Sequence, residues 1–278
     1  RFLSCCVVSE RMAKTCKQAK VKILTYNLFT PFMGCDHKQE RLEDFAKAAS
    51  QFDILLLQEI FVFTIAGLSS GYKTWLAERL RQEGFNHHIA SPIPMAGQCS
   101  GLMVFSKFPV APFESKDFVT YHNWRGVEAW TSKGALRVSI TVDENLPPLV
   151  CVVTHLQCGS GPDNTETRMQ QIRSMKGALL DGCDNFLFCG DFNICARNEP
   201  ENYQALKDTL SPIRDLLMDE TLRAGGALTD RPVTCPNIGK AEESLDYAWL
   251  RVPDRTDADK DDGKQVFWDY APGSAKVE

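Results

Sequence analysis

The chain contains 278 residues, of which 44% are hydrophobic and 24% are charged. This composition is typical of a globular protein that buries a sizeable core, and no apolar run is long enough to cross a bilayer. The formal net charge is -5. The protein therefore has no overall positive field that would hold a polyanion, and we do not expect extended nucleic acid as a partner.

Eleven cysteines are scattered through apolar runs such as VCVVTH and FLFCGD rather than set in C-x-x-C pairs. This distribution predicts reduced core thiols and not a zinc site or a disulfide framework. We find no secretory signal and expect a cytoplasmic or peripheral membrane protein. The first residue is Arg1 and not Met, so an incomplete amino terminus leaves secretion open.

The first predicted strand is VKILTYNLF (residues 21–29), which has a β-branched and aromatic composition. We assign residues 1–19 to an amino-terminal extension and residues 20–278 to one domain, because no linker divides the rest. DILLLQE (residues 53–59) predicts a second strand, whose continuous apolar run indicates burial on both faces. Further strand-like segments follow: HHIA, GLMVFSK, EAWT, ALRVSITV, LVCVVTH, FLFCGD, LDYAWL and QVFWDY.

Segments with helical spacing occur singly between these strands. The first has an apolar face made of Leu42, Phe45, Ala46 and Ala49, with Asp36 as a candidate N-cap. Other helices are predicted at residues 75–81, 168–180 and 203–218, the last with a break at Pro212. This order favours helices packed outside two central sheets.

Polar residues stand at strand ends that do not need them for folding: Asn27, Glu59, His155, Asp191, Asn193 and Asp246. Each has an ordinary explanation taken alone, such as a turn residue, a solvated strand end or an Asx turn. Together they indicate a site, because α/β sheets collect their sites at the carboxyl ends of strands.

The residue types indicate one kind of chemistry. Glu59 offers the hard oxygen atoms that magnesium prefers, and His155 can donate a hydrogen bond to an oxyanion. Asp191 and Asn193 are two residues apart, so their side chains face the same way on an extended chain. These groups are suited to metal-assisted attack of water on a phosphoester.

Six segments in this order resemble the endonuclease/exonuclease/phosphatase superfamily: TYNLF, LLLQE, SGLMVFSKFPV, THLQ, GDFN and LDYAWL. The resemblance covers about residues 20–270. It implies an α/β (α+β) four-layer sandwich of the deoxyribonuclease-I type, in which two mixed β-sheets pack face to face with helices outside.

Three details resemble the neutral, magnesium-dependent sphingomyelinases. Gln157 follows His155 in THLQ, Arg168 and Gln171 lie at that family's helical spacing in TRMQQIRSM, and Lys133-Gly134 precede a strand. The W-x-G-D-x-N-Y-R motif of inositol polyphosphate 5-phosphatases is absent. The resemblance implies hydrolysis of sphingomyelin or a related phospholipid to ceramide and phosphocholine at a membrane surface.

By matched position, the resemblance implies that Glu59 is the principal Mg²⁺ ligand, with Asn27 beside it binding phosphate or metal. Lys133 would contact substrate or shape a loop, although an ordinary exposed Lys before a strand is the alternative. The expected catalytic residues are His155, Asp191, Asn193 and Asp246. Arg168 and Gln171 are expected to brace the site.

The superfamily pattern ends with a Ser-Asp-His motif on a last strand, in which the His is the general base and the LDY aspartate, Asp246 here, orients it. No such motif follows Leu250, and no His follows His155. An incomplete sequence without the last strand and a pseudoenzyme both explain this departure. Loss of a general base typically costs about 10²- to 10⁴-fold in rate, so we expect little activity from the chain by itself.

Two alternatives to a sphingomyelinase stay open: a superfamily nuclease or phosphatase acting on a soluble substrate, and a catalytically dead lipid- or phosphate-binding module. IFVFTIAG (residues 60–67) could meet lipid through Phe61, Phe63 and Ile65, or could continue a buried strand. The sequence does not indicate an oligomeric state.

Overall fold

A computed structural model of the chain describes residues 3–11, 19–31, 36–122, 126, 131–235, 242–252 and 266–277. The strands are β1 (Leu3–Arg11), β2 (Lys20–Asn27), β3 (Ile54–Gln58), β4 (Val62–Ile65), β5 (Leu68–Gly71), β6 (His87–Ala90), β7 (Gly97–Gln98), β8 (Met103–Ser106), β9 (Phe118–Thr120), β10 (Gly134–Ile140), β11 (Leu149–His155), β12 (Phe186–Asp191), β13 (Arg214–Asp215), β14 (Asp246–Arg251), β15 (Val266–Tyr270) and β16 (Lys276–Val277). The helices are α1 (Lys38–Ala49), α2 (Lys73–Gln82), α3 (Pro162–Met175), α4 (Pro200–Leu210) and α5 (Leu216–Arg223), and a π-helical segment, Lys176–Leu180, follows α3.

Two large mixed sheets form the centre of the fold. The first has the order β15-β1-β2-β3-β8-β6, with β16 beside β1, and the second has the order β13-β14-β12-β11-β10-β9. In each sheet one neighbouring pair is parallel, β2 with β3 and β11 with β12, and the other pairs are antiparallel. Apolar side chains from both sheets share one buried core. The expected sandwich architecture is confirmed.

The helices pack on the outer faces of the two sheets. β3 shows how this works, because Ile54 and Leu56 point into the core between the sheets, whereas Leu55 and Leu57 point outward against α1 and α2. The second sheet has the equivalent outer layer, in which α3 and α4 cover its aromatic face. The predicted burial of this strand on both faces and the predicted outer helices are therefore both present.

The assignment of residues 1–19 to an extension is wrong for Leu3–Arg11. This segment is β1, an internal strand of the first sheet that pairs antiparallel with β2 on one side and with β15 and β16 on the other. Leu3, Cys5 and Val7 alternate toward the core between the sheets and are buried there. This period-two pattern in LSCCVVSER is the signal that marks the strand.

One local prediction differs from the structure. Asp36 does not cap α1, because the residue before the helix is His37, and no side-chain cap bonds its first turn among the described residues. The predicted break of the helix at Pro212 is confirmed, because α4 and α5 are separated there by β13. Residues 128–130 of the predicted EAWT strand lie outside the described residues.

Five of the cysteines that the structure describes are buried in the interior: Cys5, Cys99, Cys151, Cys189 and Cys195. Among the helices that the structure describes, none combines the length and the apolar character that a bilayer crossing requires.

We expect Gly190→Ala to destabilise the protein by about 2–4 kcal/mol, because an added Cβ would lie 2.0 Å from the carbonyl oxygen of Thr154 on the neighbouring strand. Gly182→Ala is the matched control. Gly182 also has a positive φ, 78°, but no atom lies within 4 Å of an added Cβ, so its cost should be about 1 kcal/mol. Urea unfolding measures both values, and equal costs would contradict the close approach of β11 and β12.

Candidate active site

The sheet topology brings the strand-end residues to one edge of the sandwich. β11 and β12 run parallel and end there, and β14 begins there in the opposite direction. His155, Asp191 and Asp246 are consequently direct neighbours across three strands of the second sheet. Asn27 ends β2 in the first sheet, and Glu59 directly follows β3 beside it.

Asn27 connects the two sheets at this edge. Its Nδ2 atom donates hydrogen bonds to Glu59 Oε1 at 2.7 Å and to Asp191 Oδ2 at 3.1 Å, so one amide group bridges two carboxylates. Its Oδ1 atom accepts from the backbone N–H of Phe29 at 3.0 Å. The Asn27 side chain thereby positions Glu59 and Asp191, and its assignment as a phosphate or metal ligand stays a prediction.

Glu59 is held in a strained backbone conformation with φ 60°. Its carbonyl oxygen accepts from the Thr30 hydroxyl at 2.6 Å and from the Thr30 N–H at 3.1 Å. Gly101 packs so closely that an added Cβ would lie 2.9 Å from the Glu59 Cα. A non-glycine residue with positive φ costs about 1–3 kcal/mol, and these contacts hold the carboxylate at the edge of the sandwich.

Lys133 and His155 form a buried pair beside Glu59. Lys133 Nζ lies 3.3 Å from His155 Nε2 and donates to the Leu156 carbonyl oxygen at 2.5 Å. The reading of Lys133 as an exposed surface lysine is wrong, because the side chain is buried. Burial and the Lys133 ammonium lower the pKa of His155 well below its usual value, so the imidazole is neutral at pH 7.

The local geometry also assigns the ring proton. Since Lys133 can only donate, His155 Nε2 is the acceptor and Nδ1 carries the hydrogen. Among the described residues, the buried Nδ1 atom has no hydrogen-bond partner. His155 Nε2 lies 3.8 Å from Glu59 Oε1, which places the imidazole at the carboxylate cluster.

Asp191 and Asn193 form an Asx turn. Asp191 Oδ1 accepts from the Asn193 N–H at 2.9 Å, and Asn193 has φ 51°. The expectation that both side chains face the same way on extended chain is wrong, because the backbone turns directly after Asp191. Asn193 Nδ2 instead donates to the Leu156 carbonyl oxygen at 3.1 Å, the same atom that Lys133 contacts.

Asp246 lies opposite Asp191 in the strand register. Burial and the Asp191 carboxylate raise the pKa of Asp246 to about 7, although the hydroxyl of Thr234 and the guanidinium of Arg231 act in the opposite direction. Its Oδ1 atom is shielded from solvent and has no hydrogen-bond partner within the described part of the chain. Asp246 therefore lies in the cluster with one carboxylate oxygen unsatisfied.

Sequence reasoning missed the residues that hold Asp246 in place. The Thr234 hydroxyl accepts from the Asp246 N–H at 3.0 Å, and Arg231 Nη2 donates to its carbonyl oxygen at 3.0 Å. Arg231 is buried, forms an ion pair with Asp215 at 3.1 Å and stacks on the Tyr247 ring. Nothing local in RPVT marks its Arg as buried, because the Asp215 partner is brought to it only by the fold.

Arg168 and Gln171 hold the loop that follows His155. Arg168 Nη1 donates to the carbonyl oxygens of Gln157 at 3.2 Å and Gly159 at 2.7 Å. Gln171 Oε1 accepts from the Gln157 N–H at 2.9 Å. Both side chains are buried, and their contacts agree with the bracing position expected for them.

A family model described as the "Endonuclease/Exonuclease/phosphatase family" matches residues 24–251. The chain belongs to the endonuclease/exonuclease/phosphatase family. No curated protein sequence matches the chain significantly.

Solved structures show the same endonuclease/exonuclease/phosphatase fold. Sphingomyelinase C from Streptomyces griseocarneus is 19% identical over 83% of both chains, with a TM-score of 0.57. A magnesium-bound mutant of beta toxin from Staphylococcus aureus is 13% identical over 83% of both chains, with a TM-score of 0.54. A humanized TDP2 from D. rerio is 13% identical over 83% of both chains, with a TM-score of 0.59. At these identities the similarity establishes the fold.

The carboxylate oxygen atoms at this edge of the sandwich suit a hydrated cation. Among the described residues, no three His, Cys, Asp or Glu side chains are grouped so that they could enclose a metal ion. Magnesium does not need such a cage, because it keeps several waters and is held by one or two carboxylates. Glu59 and Asp191, joined through Asn27, fit that requirement, and Asp246 adds a further carboxyl group.

We expect Asp246→Asn to stabilise the metal-free protein at alkaline pH. The pKa of Asp246 is higher in the folded state than its ordinary value of 3.8, so its contribution to stability is complete below pH 3.8 and is lost as pH rises through about 7. The free energy of unfolding of the variant, relative to that of the wild type, should increase between pH 4 and pH 8 by at most about 4 kcal/mol.

Urea unfolding in the presence of a chelator measures this difference. Glu144→Gln removes one negative charge from an exposed loop and is the control. A gain for Asp246→Asn that does not change with pH would contradict the repulsion between Asp191 and Asp246.

Proposed function

We propose that the protein is a magnesium-dependent phosphodiesterase of the sphingomyelinase type, which hydrolyses sphingomyelin or a related phospholipid to ceramide and phosphocholine. The observation that carries this proposal is the joining of Glu59 and Asp191 through one amide group, directly beside the buried His155. The fold shared with sphingomyelinase C from Streptomyces griseocarneus supports the choice of substrate class.

The sphingomyelinase-like details of the sequence occupy one wall of this site. Lys133 contacts His155 and the Leu156 carbonyl oxygen, while Gln157 is fixed by Arg168 and Gln171. These residues came from separate segments of the sequence. Their mutual contacts around His155 support one shared role, which is to fix the imidazole and the loop after it.

Glu59 and Asp191 are the residues that would hold magnesium. When bound, the ion supplies Lewis-acid stabilisation of the negative charge that develops on a phosphoester. The magnesium-bound beta toxin mutant from Staphylococcus aureus, which shares the fold, supports this assignment. Asn27 fixes the separation of the two carboxylates, and the site therefore does not rely on two freely rotating side chains.

The remaining residues bind and orient the substrate. The Lys133 ammonium supplies positive charge for a phosphoryl oxygen, and neutral His155, whose Nε2 atom accepts from Lys133, holds that ammonium in place. Asp191 and Asn193 position the nucleophile and the substrate. Asp246 matches the position of the aspartate that orients a general base. Its unsatisfied Oδ1 atom could accept a hydrogen bond from such a base.

Two other functions have specific observations in their favour. The unsatisfied Asp246 favours a catalytically dead lipid- or phosphate-binding module, because an orienting carboxylate is useful only with a base beside it. A protein described as endonuclease/exonuclease/phosphatase from Beutenbergia cavernae shares the fold with a TM-score of 0.58, against 0.57 for sphingomyelinase C, which keeps a nuclease or phosphatase with a soluble substrate as a rival.

Turnover assays separate these three functions. For a chain completed with the Ser-Asp-His strand that ends the superfamily pattern, we expect release of phosphocholine from sphingomyelin vesicles with Mg²⁺, which chelation abolishes and Glu59→Gln lowers by about 10²-fold or more. Preferred hydrolysis of abasic DNA or inositol phosphates would replace the proposal with the soluble-substrate rival. Absence of turnover on every substrate would replace it with the binding module.

Magnesium binding can be measured without turnover. We expect Mg²⁺ to raise the unfolding temperature of the wild-type protein, because a ligand that binds only the folded state stabilises it by mass action. Glu59→Gln should remove most of this rise, and the control Glu144→Gln should keep it. An equal rise in all three proteins would show that Glu59 does not hold the ion.

A further inference from the structure

A small three-stranded sheet leads away from the candidate site and ends in exposed apolar side chains. The sheet has the order β5-β4-β7, and β4 begins three residues after Glu59. Two exposed apolar side chains lie on the β4–β5 hairpin, Ile65 and Leu68, and two on the segment that leads into β7, Ile93 and Met95; their exposed fractions are 62%, 77%, 50% and 92%. We name these four side chains the apolar tip.

Strand pairing brings the apolar tip together from two segments of the chain. Ile65 and Leu68 pair directly across the β4–β5 hairpin. Thr64 pairs with Gly97 in antiparallel register, so the residues just before Gly97, including Met95, run toward the same end of the sheet. Large exposed apolar groups that gather in this way indicate an interaction surface, whereas scattered ones do not.

The base of this sheet is firmly attached to the domain. Phe61, Val62 and Thr64 are buried, and Val62 exchanges backbone and thiol hydrogen bonds with Cys99. The interpretation of residues 60–67 as the continuation of a buried strand holds for the first part of this segment, and lipid contact by the rest stays a prediction. Phe61 continues the buried structure, and the exposed face begins at Ile65.

The two segments that form this sheet carry no charge. Residues 60–72 and 89–106 contain no Asp, Glu, Lys, Arg or His, although 24% of the whole chain is charged. Exposed loops of a freely soluble surface normally carry such residues. An apolar tip on two uncharged segments matches a partner that is apolar and has no net charge.

The apolar tip is close to the candidate site. Ile65 follows Glu59 by six positions, and an extended chain of that length spans at most about 20 Å. A partner held at the tip is therefore held next to the carboxylate cluster.

We propose that the apolar tip inserts into the interfacial region of a zwitterionic lipid bilayer and holds the candidate site against the lipid headgroups. The choice of a phospholipid surface rests on the proposed function, but the docking step needs no catalysis. A second copy of the chain is a poorer occupant. Burying one such side chain removes on the order of 100 Å² of apolar surface, so four give about half of the roughly 800 Å² per partner that a stable interface needs.

Vesicle co-sedimentation in the presence of a chelator tests the docking step. The wild-type protein should bind vesicles of phosphatidylcholine and sphingomyelin, and the double variant Leu68→Ser, Met95→Ser should bind at least about 10-fold more weakly. Leu222→Ser is the matched control, because Leu222 on α5 is also exposed, at 58%, but lies outside this sheet. The control should bind as the wild type does.

Four outcomes would overturn the inference: no binding by the wild-type protein, equal binding by the tip variant, equal weakening by Leu222→Ser, or a clear preference for phosphatidylserine vesicles. Sedimentation without lipid that shows a dimer, lost in the tip variant, would assign the tip to a second copy. Urea unfolding verifies that the exposed substitutions leave the fold intact.

The docking step and the proposed function fail separately. Vesicle binding that depends on the apolar tip, without phosphocholine release under Mg²⁺, supports the docking step and removes the proposed function. Suppose that phosphocholine is released from detergent-dispersed sphingomyelin and that the tip variant binds vesicles as strongly as the wild type does. This result removes the docking step and supports the proposed function.

Discussion

The arrangement of the candidate site depends on one amide group. Asn27 Nδ2 donates to a carboxylate of its own sheet and to a carboxylate of the opposite sheet. Two acidic groups would separate without such a donor, because like charges in a partly buried site repel each other. The bonds also fix how the two sheets meet at this edge, so the geometry of the site and the packing of the sandwich are set together.

Much of the fold could be predicted from the sequence, because its strongest signals are local. β11 and β12 match the apolar runs LVCVVTH and FLFCGD, and the continuous apolar run of β3 accounts for its burial on both faces. The gathering of Asn27, Glu59 and Asp191 follows from strands that end at the same edge. β1 was missed although its alternation is visible, because two adjacent cysteines and a polar continuation weakened the strand signal.

The details of the site could not be predicted, because they depend on contacts between distant segments. The orientation of the Asn27 amide is decided by the Phe29 N–H and by Asp191. The burial of Lys133 depends on the Leu156 carbonyl oxygen, and that of Arg231 depends on Asp215. In each case a polar group is acceptable in the interior only because a specific partner satisfies it, and sequence spacing does not identify that partner.

The position of β1 also bears on how the protein reaches its folded state. Val7 of β1 pairs with Tyr270 of β15, so neighbouring strands of the first sheet come from opposite ends of the sequence. Contacts between residues so far apart in sequence form late, because the entropy cost of closing a long loop comes before their favourable contact energy. During synthesis β1 leaves the ribosome long before its outer neighbours exist. Its free edge is exposed in the nascent chain for that interval, and protection from aggregation is then a matter of translation speed and chaperones.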